Sequence, residues 1–368
     1  MKKMNALGCA FAATLVLGTA APALAADLVG TPKKDKIVGT ADADQILGLG
    51  GNDKLWGGEG DDRIEGGVGK DRIYGGNGDD FPLLGGDGND KVFGEGGNDN
   101  IEGGLGNDKI NTGDGGDSAT GGEGNDKIRS GNGDPSRPDA DRGGYRGSYL
   151  SGDGGKDKLW GGFGNDSLYG GDDNDKLSGS EGQDYLDGGT GNDKLKAGGG
   201  NDNLYGDSGE DKLKGGPGND NLSGGPGADK VVGGPGDDSF WEEAGEGDVI
   251  KGGAGNDKLG DPEGGYLHGL VKALAGAGDD VIVIADPVPG TVVKPGAGND
   301  KVYVKNAFKG MKITCGAGLD TIYFNVKAKK VRTKGCESVV YGKDAFHWDA
   351  EGAQPVWWRA MVEGRQAP

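Results

Sequence analysis

The stretch Gly50-Gly51-Asn52-Asp53-Lys54-Leu55-Trp56 carries a phrase, Gly-Gly-x-Gly-Asn-Asp-x-(Leu/Ile/Val)-x, that the chain repeats with variations over more than half its length. Its aspartates fall nine residues apart: Asp35, Asp44, Asp53, Asp62, Asp71 and Asp80, then Asp90, Asp99, Asp108, Asp117 and Asp126. After a gap come Asp157, Asp166, Asp175, Asp184, Asp193, Asp202, Asp211, Asp220, Asp229 and Asp238, then Asp248 and Asp257. The apolar residue two places after each aspartate is the only large side chain available for burial in most phrases. The flanking glycines supply the left-handed conformations of a tight turn. One phrase therefore predicts one short strand and one turn. Two phrases close an 18-residue coil, and successive coils stack in parallel at about 4.8 Å.

Composition agrees with a repeat array. The 84 glycines among 368 residues exclude an ordinary globular core, and without a strict every-third glycine they exclude collagen. With 33% hydrophobic residues and a net charge of -20, the chain sits near the boundary where apolar burial no longer offsets ordering entropy. Something beyond a core must stabilise it. The acidity argues against nucleic acid and anionic lipid as partners and favours multivalent cations.

Met1 to Ala26 reads as a secretory signal, with Lys2 and Lys3 leading an apolar run and cleavage expected after Ala25. The reading divides the chain into a signal peptide (1–25), a first repeat block (26–129), an interrupting loop (130–151), a second repeat block (152–260), a C-terminal β-helix of 20-residue coils (261–342) and an aromatic cap or tail (343–368). In the first block, Phe81-Pro82 stretches one interval to ten, and Ala119 stands where a larger residue is expected. The interval from Asp126 to Asp157 is 31, read as a lapsed coil with a surface excursion rich in Arg and Tyr. Beyond Asp261 the phrase returns every twenty residues at Asp280, Asp300 and Asp320, each followed by an apolar run, with a second run half a period later. These three are read as architecture and not as cation sites. Pro355 is placed to start a short helix through the terminal tryptophans. In an exported chain Cys315 and Cys336, 21 residues apart and so close to one coil, are most simply a disulfide, with free thiols or a metal pair as the other readings.

Stacking sorts the aspartates by parity into two columns. Asp53, Asp71, Asp90, Asp108 and Asp126 line one; Asp44, Asp62, Asp80, Asp99 and Asp117 line the other. Carboxylates about 5 Å apart repel unless a cation lies between them. Calcium, with six to eight flexible oxygen ligands, suits carboxylates supplemented by turn carbonyls better than magnesium does.

The phrase resembles the repeats-in-toxin, or hemolysin-type, calcium-binding repeat, and the likeness spans Asp35 to Leu259. The resemblance implies an all-β, right-handed parallel β-roll solenoid holding multiple Ca2+ ions between turns, which here continues into a wider parallel β-helix. It implies as ligands Asp53, Asp62, Asp71, Asp80, Asp90, Asp99, Asp108, Asp126, Asp157, Asp166, Asp184, Asp193, Asp202, Asp211, Asp220, Asp229, Asp238 and Asp257. Asp35, Asp44, Asp117, Asp175 and Asp248 are left out because their turns depart from the motif. Nearly all of this chain is array and its signal is N-terminal, so it looks like a stand-alone secreted calcium-binding protein, non-enzymatic, with calcium as its partner. The alternatives are an adhesin-like module for a cell-surface or polysaccharide partner, acting through the Arg/Tyr loop or Trp357 and Trp358, and an enzyme within 261–368. Against the enzyme stand only two histidines and no hydrolase or zinc-protease motif.

Overall fold

The structure is a computed structural model and describes residues 25–131, 146–241, 247–260, 266–270, 272–307, 309–325 and 331–342. Among these residues it is all strand and turn, arranged as two long parallel sheets of sixteen and eighteen strands. Apart from Gln45–Leu47 and Gly50–Gly51, which lie in one sheet, consecutive strands alternate between the sheets. Lys54–Glu59 pairs with Arg72–Asn77, Leu55 opposite Ile73, while on the other sheet Gln45–Leu47 pairs with Arg63–Gly69, Ile46 opposite Ile64. Partners lie two phrases apart along the chain, so each coil of the β-solenoid is made of two phrases, as the period predicts.

The interior is narrow. Leu55, Ile73, Val92, Ile110 and Ile128 form one apolar row, faced by Ile64, Leu83, Ile101, Ala119 and Leu150, all buried. Each large side chain contributes about 1.5–3 kcal/mol by burial. Ala119 is simply the small member of its row. The coils stack closely because the fourth-position glycine lies against the carbonyl of the coil before it. Gly209, at φ +150°, leaves no room for a Cβ, which would overlap the Gly191 carbonyl oxygen.

The irregularities are absorbed one coil at a time. The extra residue at Phe81 moves the partner of Ile73 one place further along the chain, to Val92, and Phe81 is extruded with 69% of its surface exposed. The long interval from Asp126 to Asp157 is one lengthened coil and not a lapsed one. Lys127–Arg129 pairs directly with Lys158–Phe163, and Ser118–Glu123 with Arg146–Gly154. Tyr149, Leu150 and Ser151, which the sequence reading put in the loop, are therefore in a strand. Residues 132–145 of the Arg/Tyr segment lie outside the described residues, as do residues 1–24, the helix expected at Pro355, and Trp357 and Trp358. Toward the C-terminus the period widens to twenty: Val281–Ala285 pairs with Lys301–Lys305 and then Thr321–Phe324, and Lys272–Ala277 pairs with Val292–Ala297. Cys315 and Cys336 are bonded across adjacent coils, with Cα atoms 5.2 Å apart.

One feature was not read from the sequence, where the acidity of the whole chain hides it. Pairing in register brings Lys36, Lys54, Arg72, Lys91, Lys109, Lys127, Lys158, Lys176, Lys194, Lys212 and Lys230 into one row along the sixteen-stranded sheet. All point outward, and seven are exposed and four half-buried. Two residues further along each strand, on the same face, stand Trp56, Tyr74 and Phe93, stacked at 5.4 and 4.9 Å. Trp160 is in the same line, under Arg129 at 5.1 Å.

Candidate metal centre

Each aspartate of the phrase closes the turn just before its strand, and its side chain enters the coil. The parity columns are present as hydrogen-bonded chains. In the first, the amide N–H of Asp53 donates to Asp71 Oδ1 (2.7 Å), Asp71 to Asp90 (2.7 Å), Asp90 to Asp108 (2.7 Å) and Asp108 to Asp126 (2.7 Å). Asp126 donates across the lengthened coil to Asp157 (2.6 Å), and the chain runs on through Asp175, Asp193, Asp211 and Asp229 to Asp248. In the second column Asp44, Asp62, Asp80, Asp99 and Asp117 follow one another in the same way. Ser148 holds the next place: its Oγ accepts from the Asp117 N–H (3.4 Å), and its own N–H donates to Asp166 (2.6 Å). Asp184, Asp202, Asp220, Asp238, Asp257, Asp280, Asp300 and Asp320 complete the column, and Glu337 ends it by accepting from the Asp320 N–H (2.8 Å).

The second carboxylate oxygen has no such partner. In twenty-four of these aspartates, from Asp53 to Asp320, Oδ2 is buried without a hydrogen-bond donor. The space left by the first glycine of each phrase shows where these oxygens point. The position a Cβ would take on Gly66 is 2.7 Å from Asp71 Oδ2 and 2.6 Å from the Gly85 carbonyl oxygen; on Gly188 it is 2.7 Å from Asp193 Oδ2 and 2.8 Å from the Gly206 carbonyl oxygen. Two acceptors thus converge on one cradle with no hydrogen between them. A buried acceptor without a donor costs about 1–3 kcal/mol, and more if charged.

Burial accordingly pushes the carboxyls upward. Asp193 rises to about 6, Asp257 to about 7 and Asp184 to about 8. In each, desolvation is the main cause, the amide of the preceding coil pulls the other way, and neighbouring carboxylates add to the rise. A hard cation with oxygen ligands relieves all of these strains together. Among the described residues no three acidic, His or Cys side chains are placed to hold one metal ion between them. The donor set on offer is therefore one carboxylate oxygen per phrase with glycine carbonyls, a set that fits calcium and does not fit zinc.

All eighteen aspartates named from the sequence occupy these columns. Asp175, set aside for its irregular turn, has the same surroundings as its neighbours, because Gly170 keeps the cradle: a Cβ there would lie 2.6 Å from Asp175 Oδ2. Asp117 differs, since Thr112 stands in the glycine's place, with its Oγ1 and the Asp117 Oδ2 both buried and without a hydrogen-bond partner. Asp280, Asp300 and Asp320 keep the unpartnered Oδ2, but Ala275, Pro295 and Cys315 replace the glycine.

The role of the preceding asparagine was not read from the sequence. Asn107 Oδ1 accepts from the Asn125 N–H (2.9 Å) and Asn89 Oδ1 from the Asn107 N–H (2.7 Å), an outer ladder running opposite to the aspartate chains. Its signal was visible in the recurrence of Asn at the fifth position.

A family model described as RTX calcium-binding nonapeptide repeat (4 copies) matches residues 29–64, 47–82, 83–110, 111–134, 143–177, 151–186, 178–213, 205–240 and 244–259, which together make up more than half of the chain. No curated protein matches it. No helix among the described residues is long and apolar enough to cross a membrane.

Proposed function

Because the chain belongs to the RTX calcium-binding nonapeptide repeat family, we propose that it is an exported, non-enzymatic protein whose β-solenoid folds on binding many calcium ions and then serves as a stiff extracellular element. The unpartnered Oδ2 atoms of the two aspartate columns carry this reading. The ligands are the aspartates followed by an apolar strand and preceded by an intact glycine cradle, Asp53, Asp71, Asp108, Asp193 and Asp220 among them, with Asp175 added to the set read from the sequence. Bound calcium supplies the positive charge that lets adjacent carboxylates stay ionised inside the coil. The chain's own groups do the rest. Oδ1 holds the neighbouring coil through its amide, the glycine leaves the space, and the carbonyl of the next coil turns toward it. Binding to the folded chain alone adds RT ln(1 + [L]/Kd) per site, so many weak sites sum to a large stabilisation.

A calcium titration of the chelated protein at pH 7.5, followed by circular dichroism and by equilibrium dialysis for stoichiometry, tests the proposal. Coil should convert to β-structure as many ions per chain are taken up. β-content that is the same with and without calcium overturns it.

A further inference from the structure

We propose that the lysine-bearing face of the sixteen-stranded sheet is a docking surface for a linear acidic polysaccharide, one carrying a carboxylate on each sugar. The row exists only in the folded stack, so the inference rests on the calcium-folded reading above.

The row runs in register from Lys36 through Lys54, Arg72, Lys91 and Lys109 to Lys230, eleven cations spaced about 4.8 Å apart over about 50 Å. The outward residues two places along are aromatic, basic, aliphatic or polar, and the acidic side chains near the row stand at the turns: Glu210 two places before Lys212, and Glu59, Asp114 and Glu181 five places after Lys54, Lys109 and Lys176. Among the described residues none of the eleven makes an ion pair, the two pairs present being Lys156 with Asp173 and His268 with Asp286. A file of like charges directly opposite one another on paired strands is destabilising, so its presence in a chain of net charge -20 asks for a cause.

Balancing the buried aspartates is not that cause. Both sheets adjoin an aspartate column, yet the corresponding places on the other sheet are mostly Asn, Ser or Tyr, as at Asn100, Ser118, Tyr149, Ser167, Tyr185, Asn203, Asn221 and Ser239, with Arg63, Lys258 and Lys301 as scattered basic residues. Only one face carries an unbroken cationic row.

The spacing selects the partner. Successive side chains of an extended acidic peptide alternate, so those on one side recur at about 6.6–6.8 Å, out of step with the row. Duplex nucleic acid turns once in about 34–36 Å, and its phosphates rotate away from a straight row of this length. A linear polyuronate carries one carboxylate on every sugar, and rotation about its glycosidic bonds lets successive sugars turn that charge toward the row. The edges of Trp56, Tyr74 and Phe93, on the same face beside Lys54, Arg72 and Lys91, give its apolar sugar surfaces a place to rest.

The test is isothermal titration of the full calcium-loaded chain with an oligogalacturonate of about ten sugars, the length that spans the row. Circular dichroism is recorded on the same samples. Two variants are compared: Lys109→Gln/Lys127→Gln/Lys176→Gln/Lys194→Gln on the row, and Arg63→Gln/Lys258→Gln/Lys301→Gln/Lys305→Gln with the same charge removed from the eighteen-stranded sheet. Binding that weakens with salt, falls about tenfold in the row variant and holds in the control supports the proposal. Equal loss in both variants, no binding by the folded wild type, or tighter binding of a single-stranded oligonucleotide of equal charge overturns it. A chain that is coil in calcium refutes the folding reading, and this inference with it.

Discussion

In the absence of calcium, acid should take its place. The perturbation is to strip the protein of calcium by chelation and dialysis at pH 7.5, then lower the pH toward 4 in calcium-free buffer. Nineteen column aspartates are pushed by burial to between about 6 and about 8, against 3.8 in the free chain. A carboxyl held at about 6 opposes folding by about 3 kcal/mol once ionised, at about 1.4 kcal/mol per pKa unit. Even reduced to ~0.5 kcal/mol each by solvent relaxation, nineteen such groups amount to about 10 kcal/mol, comparable with the 5–15 kcal/mol stability of a whole domain.

The sign follows from linkage. A folded value above the unfolded one means that the folded chain holds more protons between the two, so stability falls as pH rises through that window. The penalty is complete above about 8, declines as the pH drops, and has nearly vanished at about 4. Far-ultraviolet circular dichroism should therefore report coil at pH 7.5, β-structure near pH 4, and β-structure again at pH 7.5 once calcium is restored. Loss of β-structure on acidification of the chelated protein would show that the aspartates are held by donors when ionised, and the reasoning would fail.

Two substitutions probe single coils. Ser148→Asp restores the one missing carboxylate of the second column, between Asp117 and Asp166. Dialysis should count one more calcium per chain, and the calcium-loaded melting temperature should rise; a lower temperature or an unchanged count contradicts the column as a row of sites. Gly209→Ala drives a methyl into the Gly191 carbonyl and should cost about 1–3 kcal/mol in a calcium-loaded denaturant melt, whereas no change would mean that the coil spacing is not set by that glycine.

Much of this was legible from spacing alone. The nine-residue interval gave the coil, and parity gave both columns, because a period fixes direction in a solenoid as firmly as alternation does in a strand. Other features depended on the answer before they could be seen. The lysines of one face recur only in every second phrase and are interleaved with Asn, Ser and Tyr from the other, so a linear scan averages them into an acidic chain. Asp175 looked damaged because Asp173 replaces a turn glycine, yet the cradle is made by Gly170, and Asp173 takes the positive φ of 75° itself. The lengthened coil was misjudged because the length of the interval between Asp126 and Asp157 cannot say whether the excess lies between coils or within one.

The two-face arrangement also limits how such a chain can change in length. Duplicating or deleting a pair of phrases adds or removes a coil and leaves every downstream residue on its own side. Losing a single phrase would carry all later lysines to the opposite sheet and interrupt the cationic row at that point, while both aspartate columns, being alike, would simply exchange members. Calcium uptake therefore tolerates recombination in single phrases, whereas the charged face can be inherited only in pairs.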